Sequence, residues 1–287
     1  MWTRRLAATV LCTPRSSTVP PLAMLLARTA SSLVQADELY SLLTDPNVLV
    51  IDATQNLCKE TNTVSPARER YEQGHVPGSV FVDVGGRLSA PGMRNARGDV
   101  LHNMAPTAEG FAAEMRQIGV DDSTHVVVYS SRHVMWATRM WWLLDSFGFQ
   151  GRVSVLDGGL QAWHERGLPL ESGSGAVRSP SELPTRPART GAFVDKERVR
   201  EAIDDQETLL IDTLKKASFE GVKASRYGRR GHIATALSLP YPTVVCPESG
   251  CFFDGDAIQT ALATAGVRLG SAGTSTYPVP QQTVLAY

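Results

Sequence analysis

Few side chains in this chain could carry covalent chemistry. Its 287 residues hold four cysteines, Cys12, Cys58, Cys246 and Cys251. A cysteine acts as a nucleophile when a helix N-terminus or a neighbouring cation favours its thiolate. Cys12 sits in a basic leader, and Cys58 lies in a polar segment with no helix start behind it. Cys246 and Cys251 bracket Pro247-Glu248-Ser249-Gly250 in a turn. A zinc site needs about four ligands at fixed spacing, and no second Cys/His pair accompanies this one, so no metal is expected. The pair reads either as two unrelated loop cysteines or as a redox couple. Ser130 follows the apolar run Val126-Val-Val-Tyr129. As a hydrolase nucleophile it would need a positioned base, and His133 in the same loop is the nearest candidate. No Cys-x5-Arg loop of the phosphatase kind is present.

The elements that must position these groups occur twice. Val48-Leu-Val-Ile-Asp52 and Thr208-Leu-Leu-Ile-Asp212 are strand-like runs, each preceded by a helical pattern, at 36–43 and 195–203. Gly74-His75-Val76 recurs as Gly231-His232-Ile233, and Val126 to Tyr129 recurs as Thr283 to Tyr287. The offsets are 160 for Asp52 to Asp212, 157 for His75 to His232 and 158 for Tyr129 to Tyr287. A near-constant offset over separate markers argues for a duplicated unit. In the first copy, strands are predicted at 48–52, 126–129 and 153–156, and helices at 108–118, 136–147 and 159–166. That alternation predicts an α/β fold, a parallel sheet with helices on both faces, in each of two domains. Chemistry in such a sheet belongs at the carboxyl ends of the strands, directly after Tyr129 and Tyr287. The expected organisation is 1–35 as a leader, 36–170 as domain one, 171–192 as a Ser-, Gly-, Pro- and Arg-rich linker and 193–287 as domain two. His75 and His232 recur in both copies, which favours a structural ring hydrogen bond over a catalytic base. Trp136, Trp141, Trp142 and Trp163 fall at helical spacing and are expected to pack in the core and at a domain interface.

Composition bounds the function classes. Net charge is −1, so no global field recruits nucleic acid or an anionic membrane. No apolar run approaches the ~18 residues of a membrane helix, the uncharged stretch from Leu269 to Tyr287 being full of Ser, Thr, Gly, Pro and Gln. The first 36 residues contain Arg4, Arg5, Arg15 and Arg28 but no Asp, Glu or Lys, and are rich in Ser and Thr. That is the composition of an organellar transit peptide, and mitochondrial import is expected.

The repeated markers resemble the tandem-rhodanese family, the thiosulfate and 3-mercaptopyruvate sulfurtransferases. The first copy carries Gly74-His75-Val76-Pro77-Gly78-Ser79, Met135-Trp-Ala-Thr-Arg139 and Val155-Leu-Asp-Gly-Gly-Leu-Gln-Ala-Trp163. The second carries Leu210-Ile-Asp212, Tyr227-Gly-Arg-Arg-Gly-His-Ile233 and Leu239-Pro240. The resemblance implies a cysteine just after the strand that ends in Tyr, opening a loop at a helix N-terminus. Loop amides and the helix dipole would favour its thiolate. That thiolate takes sulfane sulfur from a small anionic donor and passes it, through a persulfide, to cyanide or a thiol. No metal or organic cofactor is implied, nor a nucleic-acid or membrane partner, and a monomer is expected. The resemblance also implies an arginine near the second Gly-His-Ile to hold the donor. Asp212-Thr-Leu214 with Tyr227-Gly-Arg229 singles out Arg229, with Arg226 and Arg230 as further candidates. The alternative is an exposed basic cluster before a turn.

Two departures from the family pattern stand out. Ser130 occupies the first copy's nucleophile position, and a hydroxyl cannot carry a persulfide, so Ser130 reads as the counterpart of an inactive loop. In the second copy the nucleophilic cysteine is expected immediately after Tyr287, where these 287 residues end. The second domain is therefore expected to be incomplete, and the chain as it stands to lack transferase activity. A shortened, inactive rhodanese-like binding or regulatory module is the alternative. Donor choice between thiosulfate and 3-mercaptopyruvate stays open.

Overall fold

The computed structural model describes residues 32–57, 64–90, 92–94, 98, 100–131, 133–223, 229–268 and 283–287. Cys12, Cys58, Arg226 and most of the expected leader lie outside these residues. The first unit comprises β1 (Leu33–Val34), α1 (Ala36–Leu42), β2 (Val48–Asp52), β3 (Gln55–Leu57), β4 (Val64–Pro66), α2 (Arg68–Gln73) and β5 (Val80–Phe81). It continues through α3 (Ala108–Gln117), β6 (His125–Tyr129), α4 (Met135–Ser146), β7 (Arg152–Leu156) and α5 (Gly159–Glu165). The second unit holds α6 (Lys196–Asp204), β8 (Thr208–Asp212), α7 (Lys216–Phe219), β9 (Leu237–Ser238), α8 (Gly255–Thr264) and β10 (Thr283–Ala286).

Five strands of the first unit form a parallel sheet in the order β1-β7-β6-β2-β5. Its central strands are apolar on both faces because each face meets helices, as a parallel sheet demands. Leu49, Ile51, Val126 and Val128 pack with Trp136, Met140, Leu143 and Leu144 of α4 and Phe111 and Met115 of α3. Val50, Val127 and Tyr129 face the other way, onto Leu39 of α1 and Trp163 of α5. Helix starts follow capping chemistry: Thr107 Oγ1 accepts from Gly110 N at 3.1 Å, and Asp254 Oδ1 accepts from Ala257 N at 2.8 Å.

The second unit repeats the middle of this sheet. Its order β10-β8-β9 matches β6-β2-β5, again parallel. Thr208 pairs with Thr283 and Ile211 with Ala286, as Val48 pairs with His125 and Ile51 with Val128. The core here is much smaller: Ala202, Leu210 and Ala236 are its buried cluster, and α8 buries no residue.

Residues 171–192 contain no helix or strand, yet they are strapped to the first unit. Arg178 donates to the carbonyls of Pro46 and Val48, and Arg186 pairs with Asp122. Arg189 pairs with Asp145, and its guanidinium lies over the Trp142 ring at 5.8 Å. Leu183, 4% exposed, belongs to the first unit's main core. Trp136 and Trp163 are core residues, and Trp163 Nε1 donates to the Pro169 carbonyl at 2.8 Å.

Candidate functional site

The carboxyl ends of the central strands carry the same polar constellation in both copies. In the first, the Tyr129 main chain accepts from Ala53 N at 2.9 Å, and its phenol oxygen accepts from Val76 N at 3.3 Å. In the second, the Tyr287 carbonyl accepts from Thr213 N at 3.0 Å, and its phenol oxygen accepts from Ile233 N at 2.9 Å. Asp52 Oδ1 accepts from Thr54 N at 2.8 Å, and Asp212 Oδ1 from Leu214 N at 2.7 Å. Each phenol is also coupled electrostatically to the neighbouring aspartate, Tyr129 to Asp52 and Tyr287 to Asp212. The histidines repeat too. His75 Nδ1 and His232 Nδ1 each lie 2.8 Å from a main-chain carbonyl, of Tyr71 and Phe219. A carbonyl only accepts, so Nδ1 carries the proton in both rings. Each imidazole stacks on the aromatic ring of that same residue, at 4.0 and 3.6 Å between centroids. These contacts give the histidines the turn-holding role that their recurrence suggests.

Electrostatics differ between the copies through burial. Desolvation pushes the Asp52 carboxyl up, opposed by its bonds to Thr54. The Tyr129 phenol is raised well above its ordinary value, first by burial and then by the Asp52 charge. Tyr287 is raised by the same causes acting through less burial, since it is 39% exposed. Both phenols therefore stay protonated and act as hydrogen-bond links.

Beyond Tyr129 the chain enters the loop that leads to α4. Ser130 is 5% exposed and its hydroxyl donates to the His133 carbonyl at 2.7 Å. The hydroxyl proton thus goes to the main chain and not to an imidazole, which removes support from the hydrolase reading of Ser130. Ser131 N donates to Thr54 Oγ1 at 2.9 Å, which ties the loop back to the end of β2. Ser130 and Ser131 line a cavity of about 10 Å³ with Gly158 and Gly159. Gly159 faces the Ser130 carbonyl in the left-handed region, at φ +56°, and a side chain there would collide with the loop backbone. Ser249 and Gly250 of the second copy close the cavity.

Of the arginines expected to face a donor, Arg226 lies outside the described residues. Arg230 Nη1 donates to the carbonyls of Gly221 and Val222 at 3.4 and 3.3 Å. Arg229 is exposed, with no ion pair or hydrogen bond among the described residues. The turn that carries both runs directly into Ile233, whose N–H meets the Tyr287 phenol, and so lies at the carboxyl end of the second sheet.

Cys246 and Cys251 are free thiols on two arms of a hairpin. Val245 bridges Phe252 antiparallel, and Cys246 N donates to the Cys251 carbonyl at 2.8 Å. The hairpin docks on the first copy: Phe252 N donates to Asp157 Oδ1 at 2.8 Å, and Gln161 Nε2 donates to the Glu248 carbonyl at 3.3 Å. Asp157 heads the Asp-Gly-Gly turn, and its role as an anchor between copies escaped the sequence reading because the two partners lie 95 residues apart. Among the described residues, no group of three or more His, Cys, Asp or Glu side chains could hold a metal ion. No helix among them is long and apolar enough to cross a membrane.

Comparison with known proteins agrees with this geometry. A rhodanese-like domain family matches residues 35–166. The 3-mercaptopyruvate sulfurtransferase of Escherichia coli (strain K12) is 34% identical over 223 residues, covering 74% of this chain and 72% of that protein. The mitochondrial thiosulfate/3-mercaptopyruvate sulfurtransferase 1 of Arabidopsis thaliana is 29% identical over 236 residues, covering 75% of this chain and 59% of its own. The crystal structure of SseA, a 3-mercaptopyruvate sulfotransferase from Escherichia coli, superposes with a TM-score of 0.69 at 30% identity over 83% of this chain and 85% of that one. With its duplicated parallel sheets and repeated tyrosine–aspartate–histidine constellation, the chain belongs to the tandem-rhodanese sulfurtransferase family.

Proposed function

We propose that this protein transfers sulfane sulfur from a small anionic donor, thiosulfate or 3-mercaptopyruvate, to a thiol or cyanide, with the chemistry assigned to the second copy. The observation that carries this reading is the repeated bond set at Tyr129 and Tyr287. It supports reading the position after Tyr287 as the equivalent of Ser130, at the carboxyl end of a parallel strand. A cysteine there would be the nucleophile and would carry the persulfide between two half-reactions. Arg229, exposed at the same end of the sheet, is the proposed anchor for the donor's negative charge, with Arg226 and Arg230 beside it. Ser130 makes the first copy a non-catalytic partner. The basic, acid-free leader and a mitochondrial plant relative support import into mitochondria.

None of the four cysteines within residues 1–287 follows a tyrosine-ended strand. A purified polypeptide of these residues is therefore expected to release no thiocyanate from thiosulfate and cyanide above background. Ordinary turnover by that polypeptide would overturn the assignment of the nucleophile. Sequencing the transcript past the codon for Tyr287 separates the two readings. A cysteine codon there supports the transferase, and a stop codon supports an inactive binding module.

A further inference from the structure

The hairpin of the second copy holds two thiols in register. The Val245–Phe252 bridge fixes the pairing, so Cys246 and Cys251 stand directly opposite, and Cys246 N bonds to the Cys251 carbonyl. Opposed residues of an antiparallel pair put their side chains on one face. The Cys246 carbonyl accepts in turn from Gly250 N at 2.8 Å, and directly opposed residues of an antiparallel pair space their Cα atoms by about 4.5–5.5 Å, within the range that a disulfide spans. Both thiols are free and partly exposed. The Cys246 thiol donates to Glu248 Oε2 at 3.2 Å. The described acidic and imidazole groups offer no third ligand that would turn the pair into a metal site. Cys251 also meets the first copy. A Cβ on Gly158 would lie 2.8 Å from its Sγ, which shows the sulfur filling the notch above that glycine.

We propose that Cys246 and Cys251 form a reversible disulfide across this hairpin by exchange with a glutathione-type disulfide, and that its formation loosens the hairpin's seat on the first copy. In the first step the Cys246 sulfur, as the thiolate formed by losing its proton to solvent, attacks one sulfur of the oxidant. The oxidant's S–S bond breaks, and one glutathione leaves as a thiolate that picks up a proton. In the second step the deprotonated Cys251 attacks the Cys246 sulfur of the mixed disulfide and expels the second glutathione. Two protein thiols are oxidised, one disulfide is reduced to two thiols, and two electrons pass to glutathione. Burial and the Asp157 charge raise the Cys251 thiol, which suits it to the resolving step in place of the first attack. To reach Cys246 its sulfur must swing away from Gly158. The notch then empties, and the packing beside the Phe252–Asp157 bond is lost.

The test uses the 287-residue chain with Cys12→Ser and Cys58→Ser, equilibrated in buffers of rising glutathione disulfide to glutathione ratio, then alkylated and mapped by mass spectrometry. The expected product is one intramolecular link between the peptides of Cys246 and Cys251, two hydrogens lighter than the reduced chain. Adding Cys246→Ser or Cys251→Ser should leave the remaining thiol able to take only a single glutathione. Two glutathiones per chain, or two alkylatable thiols at every ratio, would overturn the proposal. Should either added substitution prevent folding, the map of the parent chain alone still decides. The second half of the proposal is read by hydrogen exchange at Phe252, expected to speed up several-fold on oxidation. Unchanged or slower exchange there would refute loosening.

Discussion

At the residue scale, one hydrogen bond is made twice in different surroundings. The Tyr129 phenol is fully buried and satisfies the Val76 amide, with the Ser79 hydroxyl beside it at 3.4 Å. Its counterpart Tyr287 does the same for the Ile233 amide while 39% exposed. Losing a buried partner costs the desolvation of what it leaves behind, about 1–3 kcal/mol, whereas water can replace a lost partner at an exposed site. Tyr129→Phe is therefore expected to destabilise the first copy by about 2 kcal/mol. Tyr287→Phe should cost less than about 1 kcal/mol in the second. Urea denaturation of the two variants checks the difference, and equal costs would mean that burial does not set the worth of this bond.

At the scale of elements, the irregular stretch 171–192 behaves as part of the first unit. Leu183 is buried among core side chains, so Leu183→Ala is expected to cost about 2–4 kcal/mol, a loss that a free linker would not show. The strap's polar ties carry a pH dependence. Arg186 beside Asp122 holds that carboxyl below its usual value, and the Thr185 hydroxyl followed by Arg116 does the same for Glu109. Because the folded-state values lie below the unfolded ones, these ties are intact above the ordinary carboxylate range of about pH 4. They are lost as pH falls through the lowered values. Limited proteolysis between pH 6 and pH 3 with an acid-stable protease should show cleavage in 171–192 rising only below about pH 4. Cleavage that is uniform across that range would contradict the strap.

For the whole molecule, the cores are unequal. The first unit has two buried clusters on opposite faces of its sheet, and the second has Ala202, Leu210 and Ala236. Burial of apolar area is the main favourable term in folding, so a polypeptide of these 287 residues is expected to unfold in two steps, second unit first. Far-ultraviolet circular dichroism against urea should resolve them, with tryptophan fluorescence following only the later step. Four of the five tryptophans, Trp136, Trp141, Trp142 and Trp163, belong to the first unit. Asp157 joins the copies through Phe252 N, while Gln35 Nε2 donates to it from within the first unit. Asp157→Ala should shift the first transition to lower urea and leave the second nearly unchanged. A single coincident transition would show that the copies fold as one.

Much of the architecture was legible in the order of residues. The apolar runs at 48–52 and 208–212 could only be central strands of a parallel sheet, since neither face offers a polar side to water. The recurrence of Gly-His and of the strand-ending tyrosine marked the repeat that the two parallel sheets display. What composition could not reveal was any contact that depends on chain segments meeting at a distance. The strapping of 171–192 arises only when that stretch folds back on the first unit, and the seat of the hairpin on Asp157 only when the two units pack. Local propensity and hydrophobic period are written into neighbouring residues, while a bond spanning 95 positions is decided by three-dimensional packing.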